Sequence, residues 1–164
     1  MVFRTEPKVE DIQSIREICE STGFFYDFEV DVAVELIEER LKCGEDCGYY
    51  FLFADVDGKT VGYTCFGPIA CTKYSYDLFW IVTHNEFRGK GIGKSLLKET
   101  CHLVNKMGGI GLYAETSARD QYKPTQLFYN ATGFKLEAQI KDFYDMDDDK
   151  LIYVIRVNEE LTKL

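Results

Sequence analysis

A short segment with three glycines, three basic residues and one isoleucine constrains the fold of this chain more than any other feature. Residues 88–94 read R-G-K-G-I-G-K, between the apolar run 78–82 and a segment of helical apolar periodicity, 92–104. Glycine inside a helix costs up to about 1 kcal/mol relative to alanine. The pattern therefore predicts a strand-to-helix turn whose backbone must be bare, with positive charge concentrated in a chain of net charge -9.

Strands and helices are predicted to alternate along the chain. The predicted helices cover residues 8–21 and 30–42, the stretch from the glycine cluster to 107, and 123–132. The predicted strands cover residues 2–5, 49–56, 60–67, 76–82, 110–116, 136–142 and 151–157. Asp57-Gly58 is a hairpin turn signal, and the acidic residues 145–149 are expected to form a solvated hairpin tip. The 164 residues suit one domain, 1–164.

Composition and charge limit the classes of molecule that this protein is expected to bind. The net charge of -9 disfavours nucleic acid, which is bound by neutralising phosphates. It mildly favours a cationic small substrate, although acidity also serves solubility. No apolar run approaches the ~20 residues of a membrane helix, so no membrane partner is expected.

The six cysteines are expected to be reduced thiols of a cytoplasmic protein. The start, MVFRTEPK, has no apolar signal region. Cys43 and Cys47 lack a second pair at zinc-site spacing, and the acidic stretch lacks the glycine and glutamate of a calcium loop. No metal is therefore expected.

Three phosphate-binding patterns compete for the glycine cluster. A Walker A loop fails because its first glycine would fall at Arg88. The dinucleotide fingerprint fails at its third glycine whether it starts at Gly89 or at Gly91. The pattern [QR]-x-x-G-x-[GA] is matched fully by residues 88–93. With this match the chain resembles the GNAT superfamily of acyl-CoA-dependent N-acyltransferases.

Two further stretches carry the resemblance. Residues 78–82 and 113–117 are similar to the fourth and fifth strands of the family, and F-Y-N-A-T-G-F at 128–134 is similar to its F-Y-x-x-x-G-F signature. The resemblance implies a single-domain α/β (α+β) fold. Its central twisted sheet would be mixed and mostly antiparallel, with about seven strands and about four flanking helices. The fourth and fifth strands would splay apart around an acyl-CoA.

The resemblance also implies acetyl-CoA as cosubstrate. Its pyrophosphate is expected at the helix N-terminus, where free backbone N–H groups and the helix dipole favour an anion. The pantetheine arm is expected beside the fourth strand. Many relatives carry an Asn after the fifth strand, and Ser117 or Thr125 is expected to replace it. The candidate CoA-binding residues are Trp80, Ile81, Val82, Arg88, Gly89, Lys90, Gly91, Ile92, Gly93, Lys94, Ser117, Thr125 and Phe128.

The implied reaction is direct attack of an amine on the thioester in a ternary complex. Tyr129, in the family signature, is the predicted proton donor to the departing thiolate. The backbone N–H of Ile81 or Val82 is the candidate oxyanion donor. Glu115 is the first candidate general base and Asp77 the second. The loop residue His84 and solvent are left open as further alternatives.

The acceptor is expected to be a primary amine of a small molecule or peptide. Residues 24–29, F-F-Y-D-F-E, either line a site for a cationic amine or belong to the core and a solvated face. The main alternative function is a non-catalytic acyl-CoA-binding sensor or regulatory domain. A nucleotide-binding domain is disfavoured by the failed Walker and dinucleotide patterns. Many relatives dimerise through their last strands, so a homodimer is possible here.

Overall fold

The computed structural model of the protein describes residues 1–157. Within them, seven strands form one sheet in the order β1-β2-β3-β4-β5-β7-β6. The strands are β1 (Val2–Arg4), β2 (Tyr50–Val56), β3 (Lys59–Pro68), β4 (Ser75–Thr83), β5 (Gly111–Ser117), β6 (Lys135–Asp145) and β7 (Asp148–Arg156). The four α-helices of this part of the chain are α1 (Asp11–Ser21), α2 (Asp27–Cys43), α3 (Ile92–Lys106) and α4 (Lys123–Ala131). The predicted fold class is confirmed.

The sheet is mixed, with mostly antiparallel pairs. Strands β1 and β2, β2 and β3, β5 and β7, and β6 and β7 pair antiparallel. Strands β4 and β5 pair parallel, from Ser75 opposite Gly111 to Asp77 opposite Tyr113. This parallel register covers only the first three residues of each strand, as the resemblance predicts for the fourth and fifth strands.

The packing divides the chain into two compact units. The first unit comprises Met1–Gly67 and Phe79–Thr100. The second comprises Pro68–Leu78 and the chain from Cys101 onward. The predicted single domain 1–164 stays a prediction, and its last residues, 158–164, lie outside the described part of the chain.

The core of the first unit lies between α1, α2 and the faces of β2 and β3. Apolar residues spaced three and four apart on each helix turn inward, as an amphipathic helix requires. The buried cluster consists of Ile15, Ile18, Cys19, Val30, Ala33, Val34, Ile37, Phe51, Phe53, Tyr63, Cys65 and Val82. The β2–β3 hairpin turns at Asp57 and Gly58, both with positive φ, which confirms the predicted turn signal.

Two helices begin at other residues than predicted, and a side-chain hydrogen bond lies at each start. The α2 helix begins at Asp27 since the Glu29 carboxylate accepts the N–H of Tyr26 at 2.9 Å, a capping interaction. The α1 helix begins only at Asp11, whose carboxylate accepts the N–H of Lys8 at 2.7 Å. Residues 8–10 therefore form a turn ahead of the helix.

The hairpin at the end of the described chain is longer than predicted. Asp145 pairs with Asp148 around a two-residue turn, so most of the acidic stretch belongs to strands. The predicted solvated tip is wrong for Asp148, which is only 2% exposed because it is paired with Ser117 and Arg119. Strand β6, at the edge of the sheet, is exposed along its whole length.

Candidate active site

The glycine cluster forms the turn between β4 and α3, as predicted. Gly89 and Gly91 have φ angles of +73° and +79°, a conformation that residues with a Cβ adopt only at a cost. A Cβ atom at either position would meet nothing within 4 Å. The backbone conformation explains these two glycines, and the space over the turn is open.

The N-terminus of α3 follows this turn directly. The Ser95 N–H donates to the Gly91 carbonyl at 3.0 Å. Helix geometry therefore leaves the N–H groups of Ile92, Gly93 and Lys94 without an acceptor inside the helix. These amides are available to a negatively charged ligand, which the helix dipole also favours.

The same segment carries three basic side chains. Arg88, Lys90 and Lys94 are all exposed. The Lys90 ammonium lies 4.7 Å from the centroid of the Phe87 ring, an attractive cation–π distance. Bare amides, a helix N-terminus and three cations together form an arrangement that can hold a diphosphate.

Strand β4 carries the three residues predicted to run beside the pantetheine arm. The Trp80 ring contacts Phe25 edge-on, with centroids 5.0 Å apart, and packs against the buried cluster. Val82 is buried and Ile81 is half-buried. The Trp80 and Val82 side chains thus serve the core, and any contact of this strand with CoA would fall largely to main-chain groups. Their CoA-binding role stays a prediction.

The aromatic segment 24–29 divides between the two interpretations. Phe25 lies against the core through Trp80. Tyr26 and Phe28 are 58% and 67% exposed, and their rings stack with centroids 5.7 Å apart. One part of the segment is therefore structural, and the other presents an aromatic surface at the start of α2.

Tyr129 lies in the second unit, on α4, and is only 4% exposed. Its ring packs against Phe134 and Tyr153, with centroids 5.1 and 5.5 Å away. Burial raises its pKa above the ordinary value of a phenol. The hydroxyl therefore keeps its proton across the physiological range and can act as a hydrogen-bond donor.

Two predicted carboxylates lie close to one another in the second unit. The Glu115 carboxylate is bound by the Lys150 ammonium at 2.5 Å, and that ammonium lies 4.2 Å from the centroid of the Phe143 ring. Asp77 is half-buried, and its pKa is raised by desolvation and by the nearby charge of Glu115. Asp77 thus has the environment that makes a carboxylate a better proton acceptor.

The remaining predicted residues have more local roles. The Ser117 hydroxyl donates to the Asp148 carboxylate at 2.5 Å, so its proton is already used inside the protein. Thr125 and Phe128 are half-buried on α4. The Nδ1 atom of His84 accepts the N–H of Glu86 at 3.3 Å and caps a short 3-10 turn. Sequence reasoning missed Asp148, because nothing in an acidic run marks which member is buried.

The described residues carry neither an evident metal site nor an evident membrane span. Within 1–157, no three His, Cys, Asp or Glu side chains are grouped so as to hold a metal ion. In the same range, no helix has both the length and the apolar character needed to cross a bilayer. All six cysteines are free thiols.

Comparison with known proteins agrees with this geometry. The family model of the acetyltransferase (GNAT) domain matches residues 47–136. A crystal structure of a protein from Desulfovibrio desulfuricans, assigned to the GNAT family of acetyltransferases, is 44% identical, with a TM-score of 0.94 over 95% of this chain and 98% of that one. Comparison with curated proteins gives no match.

Two less similar solved structures share the fold, one with coenzyme A bound and one with acetyl-CoA bound. An aminoglycoside 6'-N-acetyltransferase complexed with coenzyme A is 16% identical, with a TM-score of 0.76 over 96% of this chain and 97% of that one. The acetyltransferase yncA from Salmonella typhimurium, with acetyl-CoA, is 20% identical, with a TM-score of 0.73 over 97% and 95%.

Proposed function

The chain belongs to the GNAT family of acetyltransferases, and on this basis we propose that it acetylates a primary amine of a small molecule or peptide. The acetyl group would come from acetyl-CoA, and the amine would attack directly in a ternary complex. The observation that carries the proposal is the turn at 88–94, in which two left-handed glycines precede the bare N-terminus of α3. Relatives of the same fold bind coenzyme A or acetyl-CoA.

Asp77 is the better of the two candidate proton acceptors in this proposal. Removal of a proton from the amine requires a carboxylate with an available oxygen and enhanced basicity. Burial and the charge of Glu115 raise the pKa of Asp77, whereas Glu115 itself is held by Lys150. Glu115 then acts indirectly, because its negative charge keeps Asp77 basic.

Tyr129 supplies the hydrogen bond to the departing thiolate in this proposal. Its hydroxyl stays protonated because burial raises its pKa. The backbone N–H of Ile81 or Val82 is the proposed donor to the tetrahedral oxyanion, a role that needs no particular side chain. CoA itself would be held by the turn residues and by Ser117, Thr125 and Phe128, with Ser117 contributing through its remaining lone pair or main chain.

The proposed acceptor is a cationic amine. Its support is the net charge of -9 and the pair of carboxylates Asp77 and Glu115 in the second unit. In the same unit, the Glu115 carboxylate and the ring of Phe143 hold the Lys150 ammonium between them, the kind of contact that an alkylammonium substrate would make. A cationic substrate would also be drawn by long-range attraction, so its kcat/KM should fall with ionic strength.

The test begins with calorimetric titration of the protein with acetyl-CoA, with ATP and NADH as controls. Saturable binding of acetyl-CoA alone is expected. A panel of primary amines and amino-terminal peptides then identifies the acceptor through CoA release. Release should be followed by chromatography, because the exposed Cys43 and Cys71 would react with thiol reagents. Binding without turnover on the whole panel would favour the acyl-CoA sensor, and tight ATP binding would favour a nucleotide-binding domain.

Removal of the Tyr129 hydroxyl tests the proposed role of this residue. Tyr129→Phe should lower turnover by at least about tenfold, a smaller loss than the roughly 100-fold or more that full proton transfer contributes, and leave acetyl-CoA affinity unchanged. Tyr153→Phe is the matched control, because Tyr153 is buried to a similar extent and its ring packs against the ring of Tyr129. Equal turnover in wild type and Tyr129→Phe would remove Tyr129 from the mechanism.

A homodimer through β6 is also proposed. This strand lies at the edge of the sheet, and an edge presents unpaired backbone groups to a second copy. Leu136 and Ile140 on it are 48% and 42% exposed. Light scattering on wild type and Ile140→Lys tests this, and a monomeric wild type at high concentration would contradict it.

The whole chain is proposed to work as one acetyltransferase domain of the cytoplasm. The six free thiols support that location, since such thiols persist in a reducing compartment. A single cooperative transition in calorimetric unfolding would support one domain, and two separate transitions would contradict it.

A further inference from the structure

A buried carboxylate in the second unit has no part in the chemistry proposed above. Asp148, the first residue of β7, is 2% exposed. Its Oδ1 accepts the Ser117 hydroxyl at 2.5 Å, and its Oδ2 lies 2.9 Å from Nε of Arg119. Burying a charge costs several kcal/mol unless it is paired and hydrogen-bonded, and both oxygens of this one are engaged.

The bonds of Asp148 fix the end of β5. The Ser117 hydroxyl that Asp148 accepts also receives the N–H of Arg119 at 3.1 Å. The N–H of Ala118 donates to the carbonyl of Asp149 at 2.9 Å. Residues 117–119 are thus bound to the first two residues of β7 by side chain and main chain.

The same point of β5 is attached to the helix that carries Tyr129. The Gln126 side chain donates through Nε2 to the Ser117 carbonyl at 3.0 Å. Gln126 is 7% exposed and Tyr129 4%, and residues three apart lie on the same face of a helix. The polar contact at Gln126 and the ring contact of Tyr129 with Tyr153 therefore fix one face of α4 against β5 and β7.

We propose that Asp148 is a positioning residue for Tyr129. By holding Ser117, and through Ser117 the side chain of Gln126, Asp148 sets the position of α4 and with it the direction of the Tyr129 hydroxyl. The inference rests on the proposed function, in which that hydroxyl meets the departing sulfur. Asp148 itself touches no reacting atom.

Fluorine NMR tests the structural half of the inference without any turnover. The protein is prepared with 3-fluorotyrosine, and the Tyr129 resonance is assigned by its loss in Tyr129→Phe. Asp148→Asn should shift or broaden this resonance. Asp147→Asn, the neighbouring and exposed carboxylate of the same turn, should leave it in place. An unchanged Tyr129 resonance in a folded Asp148→Asn protein would overturn the inference.

A double-mutant cycle tests the functional half. With acetyl-CoA and the best amine of the panel, Asp148→Asn should lower kcat about tenfold, since a 1 Å misplacement can cost about 100-fold. The affinity for acetyl-CoA should not change. In the Tyr129→Phe background the same substitution should have little further effect, because residues that act together are not additive. Full multiplication of the two losses would contradict the inference.

These outcomes separate the inference from the proposed function. If Tyr129→Phe retains wild-type turnover, the proton donor is wrong, while the resonance shift still decides whether Asp148 positions the ring. If no amine is acetylated, the resonance alone decides. If Asp148→Asn does not fold, Ser117→Ala removes the same link from its other side and should shift the same resonance.

Discussion

Gly91→Glu is the sharpest test of the proposed diphosphate site. At a φ of +79°, the new side chain would project from the turn that leads into α3, where nothing lies within 4 Å of the Cβ position. The substitution therefore adds a carboxylate to the space proposed for the pyrophosphate without a clash inside the protein. We expect the affinity for acetyl-CoA to fall sharply.

Gly91→Glu is expected to have two separate effects, one on stability and one on acetyl-CoA affinity. A left-handed conformation costs a residue with a Cβ about 1–2 kcal/mol, which lowers stability. A carboxylate about 4 Å from one phosphate charge is repelled by about 1 kcal/mol in water and about 4 kcal/mol at an effective dielectric constant of about 20. At about 1.4 kcal/mol for each tenfold change, the affinity should fall between about fivefold and about 1000-fold.

Gly58→Glu is a matched control for the backbone cost. Gly58 has a φ of +80° and equally open space at its Cβ position, but lies in the β2–β3 turn. Both variants should lose similar stability in urea unfolding, and only Gly91→Glu should lose acetyl-CoA affinity in calorimetry. Gly91→Gln separates bulk from charge, since it should retain part of the affinity. Equal affinity in the Gly91→Glu and Gly58→Glu proteins would refute the assignment of the turn to CoA.

Three further predictions concern thiols, stability and pH. A thiol reagent should label Cys43 and Cys71 in the native protein. It should label the buried Cys19, Cys65 and Cys101 only after unfolding, because burial raises the pKa values of these three thiols and blocks access to them. Fast labelling of all six cysteines would contradict the core packing. Arg4→Met should lower the free energy of unfolding at pH 7 by about 3 kcal/mol, since it leaves the buried Asp11 and the half-buried Asp55 without their cation. The exposed pair of Arg16 should contribute below about 1 kcal/mol in Arg16→Met. The pKa of Asp77 is raised in the folded state, so protonated Asp77 contributes stability that is lost as pH rises through that pKa. Asp77→Asn should therefore stabilise the protein at pH 7 but not at about pH 3. The opposite trend in urea titrations would contradict the raised pKa.

The turn at 88–94 could be predicted from the sequence because its chemistry is local. A glycine that needs a positive φ, a helix N-terminus and neighbouring basic residues all lie within seven positions, so no distant contact decides the geometry. The hairpin at Asp57-Gly58 could be predicted for the same reason. Helix starts were less predictable, since Glu29 closes a capping box at α2 and the Asp11 carboxylate holds a turn ahead of α1.

The partners of the candidate carboxylates could not be predicted, because they depend on strand register. The sequence ranked Glu115 above Asp77. The antiparallel register of β5 with β7 places Lys150 where its ammonium binds the Glu115 carboxylate. A shift of one residue would turn Lys150 to the other face of the sheet. No local pattern in an acidic run could indicate that Asp148 alone among its neighbours is buried.

The raised pKa values of Asp77 and Tyr129 have different consequences for the proposed reaction. A raised pKa makes Asp77 a better proton acceptor, provided that it is ionised at the working pH. For Tyr129 the same desolvation hinders proton donation, because a phenol with an ordinary pKa of about 10 is already a weaker acid than a thiol at about 8.5, and burial raises the pKa of Tyr129 further. Full proton transfer to the thiolate is then uphill, so Tyr129 contributes mainly a hydrogen bond to the developing charge. The hydroxyl also stays protonated at high pH, and it should cause no descending limb in the profile of kcat up to about pH 10. A descending limb below that pH that disappears in Tyr129→Phe would show that the phenol ionises, and would contradict its burial in the working enzyme.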